Sequence, residues 1–173
     1  MKTGIFHTIV LGKESFTPIE YNADKFVMDW TMEAAGKVPE HIHEYSGEHF
    51  VVTKGVVNFK VGGKFIVKKS GDELLVPKGV PHSITNTTGS QIALRVTYTP
   101  CADVHRMFEI LTVLNTKSPG SAVNMMRYFY IYPRLGLKPF STIPSPVIMR
   151  LLHCFVTITG KLSGWDKLVN QFR

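Results

Sequence analysis

The stretch VVNFKVGGKFIVKK, residues 56–69, constrains the fold more than any other part of this chain. Apolar and polar residues alternate on both sides of Gly62-Gly63, so two period-2 strands meet at a two-residue turn. A glycine pair there accepts the backbone angles of a type I′ or II′ turn, whose twist matches its flanking strands. The same alternation recurs in QIALRVTYT (91–99). Ile92, Leu94, Val96 and Tyr98 share one face, and Gln91, Arg95 and Thr97 take the other. In FVMDWTMEA (26–34), Asp29 and Glu33 belong outside, which turns Trp30 and Met32 inward. Many short strands, punctuated by glycine and proline, read as an all-β sandwich or barrel.

Near residue 100 the period shifts. Val104, Met107, Phe108, Leu111 and Leu114 follow helical spacing, and the helix should stop before SPG (118–120). A second apolar segment, AVNMMRYFYIY (122–132), is expected to end at Pro133. A third, roughly 147–162, puts Ile148, Leu151, Leu152, Phe155 and Leu162 on one side, with Arg150, Thr157 and Lys161 on the other. Between them PRLGLKPFSTIPSP reads as an irregular connection. The chain therefore divides into a β unit over 1–100 and a helical extension over 101–173. A membrane-crossing helix is not expected, because Pro144, Pro146, Arg150, His153 and Lys161 interrupt the last apolar segment. The opening residues, MKTGIFHTIVLGKESF, suit a strand better than a secretory leader.

Charge follows the same division. Residues 1–100 hold 11 Lys+Arg against 10 Asp+Glu, whereas residues 101–173 hold 9 against 3. The net +7 thus belongs mostly to the extension. Its basic residues are dispersed and no helix-turn-helix pattern appears, so nucleic acid is not an expected partner. Cys101 and Cys154 form no motif, and a cytoplasmic protein with reduced thiols is the plain expectation.

The chemistry concentrates in HIHEYSGEHF (41–50). His41 and His43 would leave one face of a strand, and Glu48 can return to that face after the Ser46-Gly47 bend. Two imidazoles and a carboxylate suit a divalent first-row metal, but a polar turn carrying surface histidines accounts for the stretch as well. Glu44 and His49 fall out of phase and read as surface residues. His7, His105 and His153 match no ligand spacing.

The block from Gly36 through His41, His43 and Glu48 to Gly55 reads G-x4-H-x-H-x4-E-x6-G, and Gly71 through Asn86 reads G-x5-P-x-G-x2-H-x3-N. Together they resemble the two motifs of the cupin superfamily. The second block fits at every position, and the first is one residue short before His41. The resemblance covers 36–86 directly. It implies a mainly β fold, a cupin-type β-barrel (double-stranded β-helix or jelly roll), followed here by C-terminal α-helices. It also implies a metal held by His41, His43, Glu48 and His82, all present without substitution. Three nitrogens and one oxygen suit Fe, Mn, Ni, Cu or Zn as one divalent transition metal. Gly55, Gly71 and the Pro77-Lys78-Gly79 turn serve the backbone, and Asn86 a turn.

Residues in phase with those ligands, Phe50 and Ile84, together with Trp30 and Met32, are candidate walls of a substrate pocket, although plain barrel core explains them equally. The expected partner is a small-molecule ligand bearing oxygen. The extension is expected to act as a lid or as a homodimer contact, and less as a surface for anionic membrane. Two functions compete: a metal-dependent oxygenase, isomerase or lyase, and a non-catalytic ligand-binding or sensing module with a structural metal. The resemblance carries a fold and a metal site but not a reaction.

Overall fold

The computed structural model describes residues 7–116, 118, 120–138, 141–142 and 146–173. The first six residues of the expected N-terminal strand and part of the proline-rich connection lie outside them. The chain begins with β1 (Ile9–Leu11), β2 (Glu14–Tyr21), β3 (Phe26–Met32), β4 (Lys37–Ile42) and β5 (Gly47–Lys54). Next come β6 (Val56–Val61), β7 (Lys64–Lys69), β8 (Glu73–Val76), β9 (His82–Thr85) and β10 (Ile92–Thr99). The helices α1 (Val104–Asn115) and α2 (Ala122–Arg134) lead to a short β11 (Ser141–Thr142), then α3 (Pro146–Leu162) and α4 (Asp166–Val169).

Two antiparallel sheets result, in the order β1-β2-β3-β10-β5-β8 and β11-β4-β9-β6-β7. Among the described residues no ladder joins them into a closed cylinder, so the jelly roll is two facing sheets. The Gly62-Gly63 turn sets the β6–β7 register at Val61↔Lys64, and both glycines take positive φ, 54° and 82°. In β3 and β10 the alternation decides which face is covered. Trp30, Met32, Ile92, Leu94, Val96 and Tyr98 are buried, whereas Arg95 reaches across to Asp29 on the outer face. Each large apolar side chain so buried contributes roughly 1.5–3 kcal/mol.

The helices extend the same core. Phe108 of α1 stacks on Phe26 of β3 at 5.0 Å and tilts against Phe16 of β2 at 5.6 Å. Helix α2 runs one residue beyond its expected stop, through Pro133 to Arg134. Pro133 has no N–H to donate to the carbonyl four residues back, the helix ends one residue later, and Gly136 at φ 73° completes the exit.

Helix α3 lies against α2 by a narrow seam. Val156 is buried, and Gly160 sits so close to Tyr130 that an added Cβ would fall 2.2 Å from its ring carbons. Trp165 meets the same ring edge-on at 5.8 Å, and the Tyr130 hydroxyl donates to Asp166 at 2.7 Å. The apolar side expected for this segment is the opposite one, and it faces outward: Ile148, Leu151, Phe155 and Leu162 are 60, 67, 59 and 85 % exposed. No helix among the described residues is long and apolar enough to cross a membrane.

Candidate metal centre

Both sheets contribute to the cluster. β4 and β9 pair so that His41 lies directly opposite His82. The ladder is irregular between Val38 and His41, where Pro39 cannot donate, and such a bulge re-aims the next side chain. His43 follows one residue beyond the end of β4. Glu48 comes from the other sheet, on β5, opposite Tyr98 of β10. One ligating atom from each of His41, His43, Glu48 and His82 lies within 4.8 Å of all the others. His43, Glu48 and His82 are buried, and His41 is partly exposed.

Hydrogen bonds orient the imidazoles. Nδ1 of His41 meets the Pro39 carbonyl at 2.9 Å, and Nδ1 of His82 meets the Val80 carbonyl at 3.0 Å. A carbonyl only accepts, so each Nδ1 carries the proton and each neutral ring keeps its Nε2 lone pair for the cluster. His82 Nε2 then stands 2.6 Å from Glu48 Oε2, and His43 Nε2 3.6 Å from it. A carboxylate oxygen and an imidazole lone pair cannot approach so closely unless a positive charge lies between them, either a proton or a metal cation. The donor set, its spacing and these fixed tautomers fit a divalent metal.

The electrostatics agree. Burial pushes the Glu48 carboxyl up, but the His82 contact and the surrounding imidazoles outweigh it and hold the group at about 2. Burial, then His82, pushes His41 down to about 4. Burial opposes charge on His82, yet Glu48 raises it overall. A positive charge beside the fixed carboxylate is thus favoured on His82 and disfavoured on His41.

The cluster opens on a cavity of about 320 Å³. Trp30 and Ile84 line it, whereas Met32 and Phe50 are not among its lining residues and pack fully buried in the core. Phe50 is nonetheless edge-on to His82 at 6.4 Å, so it supports the cluster from behind. His49 faces outward and bonds Glu73 at 3.0 Å. Asn86, wholly buried, donates to the carbonyls of Met32, Glu33 and Ser90 and ties β9 to the end of β3. Tyr45 is exposed. His105 stacks on Tyr21 and meets Cys101 at 3.3 Å, away from the cavity lining.

Several wall residues escape a motif reading. Met107, Phe108 and Leu111 of α1, with Met125, Tyr128 and Phe129 of α2, complete the cavity. Glu14 of β2 also lines it, and burial pushes its carboxyl up to about 7. Tyr98 lines it beside the cluster, and burial together with Glu48 raises its hydroxyl well above the usual value. Glu14 shares the phase of Phe16 in ESFTPIEY, and a carboxylate in step with an aromatic on a strand was the available signal.

Comparison with known proteins follows the same lines. The model of the family described as "Cupin domain" matches residues 28–98. No curated protein matches the chain. Among solved structures, an RmlC-like cupin from Shewanella frigidimarina is similar at TM-score 0.53 and 18% identity, covering 58% of this chain and 89% of its own. KdgF from a Halomonas species gives 0.54 at 15% identity, covering 60% and 99%. The polyketide cyclase RemF from Streptomyces resistomycificus gives 0.50 at 15% identity, covering 57% and 79%. At these identities the likeness concerns the fold, and α1 to α4 lie beyond the segment that the family model matches. Residues 28–98 therefore match a cupin domain, and in this chain that segment is followed by a helical extension.

Proposed function

We propose that the protein is a metal-dependent enzyme whose centre is held by His41, His43, Glu48 and His82, acting on a small organic compound that reaches the metal through an oxygen atom. One observation carries this reading: the four donors converge within 4.8 Å at the wall of a mainly apolar cavity large enough for a small molecule. A bound divalent metal would act as a Lewis acid, polarising a carbonyl or stabilising an enolate. The chain's own residues supply the rest. The backbone carbonyls of Pro39 and Val80 hold two imidazoles in orientation, and the aromatic walls exclude water from the ligand. Elemental analysis of untagged protein tests the centre. About one metal per chain is expected, and far less, even after reconstitution, would sink the reading.

A non-catalytic binding module is the second reading. It is favoured by the absence of Ser, Thr, Cys and Lys from the cavity lining among the described residues, which leaves no aliphatic hydroxyl, thiol or amine nucleophile there. A metabolite-pool screen separates the two. Turnover lost in His82→Ala supports the enzyme, whereas ligand-induced thermal shifts without turnover support the module.

A further inference from the structure

The cavity wall holds an ionisable group that the metal reading does not use. Glu14 opens β2, where it pairs with Leu11 of β1 and Met32 of β3, so its backbone is fixed by ladders on both sides. Its carboxyl is half-buried at the cavity wall and makes no hydrogen bond or ion pair among the described residues. Two further polar groups on this wall are also unpartnered. Trp30 and Tyr128 line the cavity, and the indole Nε1–H and the phenol hydroxyl are buried with no hydrogen-bond partner. Buried donors in native folds are nearly always satisfied, so two of them beside an unpaired, half-buried carboxyl on one cavity wall call for a guest that satisfies them.

The remaining wall limits that guest. Phe16, Met28, Met107, Phe108, Leu111 and Phe129 offer no charge to an ionic ligand. Flat aromatic and pliable methionine surfaces fit a ring system. The titratable groups that share the cavity wall with Glu14 come from four parts of the chain. β10 presents Tyr98, which senses charge on Glu14, and α2 presents Tyr128; β4, its following loop and β5 present His41, His43 and Glu48. β1 and α1 line the cavity only with apolar side chains. None of these gives Glu14 a cationic partner other than the histidines of the cluster.

We propose that Glu14 is the proton-carrying residue of this cavity, a carboxyl among apolar walls that hydrogen-bonds to an oxygen of an uncharged, ring-bearing ligand and exchanges a proton with it. In the acid direction the carboxyl O–H bond breaks as the ligand oxygen gains the proton, leaving a carboxylate. In the base direction a ligand hydroxyl gives its proton back and the carboxyl is restored. Burial, which raises the Glu14 carboxyl to about 7, keeps both forms accessible near neutrality. The identity of the ligand's wall partner extends the metal reading, but the role of Glu14 does not need the metal to be present.

The test uses 2-acetylnaphthalene, an uncharged ketone that does not itself titrate, and 2-naphthoate, its anionic counterpart of equal size. Binding to full-length wild type and Glu14→Gln, each with one equivalent of Zn(II), is followed by tryptophan quenching from pH 5.5 to 8.5. The ketone should bind wild type about tenfold more weakly at the upper pH, because an ionised Glu14 no longer donates to its oxygen. Glu14→Gln, which keeps a donor but cannot ionise, should change less than about twofold, and at pH 8.5 2-naphthoate should bind wild type more weakly than it binds Glu14→Gln, because only wild type sets a second negative charge beside it. Infrared difference spectra should show a protonated-carboxyl C=O band at pH 5.5 that is missing from Glu14→Gln. Equal slopes in both variants, no slope in wild type, no ketone binding, naphthoate binding at pH 8.5 as tight to wild type as to Glu14→Gln, or no such band each overturn the proposal. Metal content of the same samples is read separately, so a chain without metal that keeps the Glu14-dependent slope sinks the metal centre and not Glu14.

Discussion

Strands β3 and β10 and helix α3 treat their apolar residues in opposite ways. In β3 and β10 every large inward side chain is buried, and polar partners such as Asp29 and Arg95 meet outside. In α3 the buried residues among those described are Val156 and a glycine, while Ile148, Leu151, Phe155 and Leu162 stand in solvent. The sheet unit is almost charge-neutral and the extension carries most of the net +7. The lesson concerns what fixes an element. A strand is held by its ladder, so its apolar face must go to the core. A late helix is held by wherever it finds a close fit, and a glycine against a tyrosine ring can outrank a wide apolar stripe.

That contrast can be broken or sharpened experimentally. The largest effect is expected on the sheet side, at the cluster. His82→Ala should weaken metal binding more than about 100-fold by competitive chelation, since removing a ligand exceeds the loss usual for its supporting groups. Next comes the seam of α3. Val156→Asp buries a charge beside α2 and should cost roughly 3 kcal/mol or more by chemical denaturation. Gly160→Ala should cost about 2 kcal/mol, because its Cβ meets the Tyr130 ring. The same aspartate placed on the outer side, Leu151→Asp, should change stability by less than about 0.5 kcal/mol. A cost as large as that of Val156→Asp would mean that the outer face is covered in solution.

A pH-dependent effect links the two regions, because helices roof the carboxyl that β2 presents. Glu14 is raised from 4.5 to about 7, so the folded state holds its proton more tightly than the unfolded chain does. Its stability penalty is absent below about pH 4.5, grows to about pH 7 and is complete above that. Glu14→Gln should therefore raise the melting temperature at pH 8.5 and leave it unchanged near pH 4. The gain is roughly 1–2 kcal/mol once partial exposure is allowed for.

Much of the fold was legible because ladders enforce period two. The glycine pair at 62–63, the alternation of β3 and β10, and the spacing of His41, His43, Glu48 and His82 all point to arrangements that the structure contains. What escaped depends on contacts distant in sequence. Glu14 becomes a perturbed carboxyl only because α1 and α2, about 100 residues further on, wall off the cavity it lines. Met32 and Phe50 have the right phase but sit in the core behind the cavity, since phase selects a face and not a depth along it. The apolar side of α3 gave a direction that the fit at Gly160 reversed.

The shared wall of the cavity has a further consequence. The four clustered donors belong to β4, the loop after it, β5 and β9, whereas a third of the lining belongs to α1 and α2. Chemistry and selectivity are thereby placed on separately variable stretches of the chain. Exchanging the helix pair alters which molecule is admitted without disturbing a single donor, so the extension is the place to begin in redirecting this scaffold to a new compound.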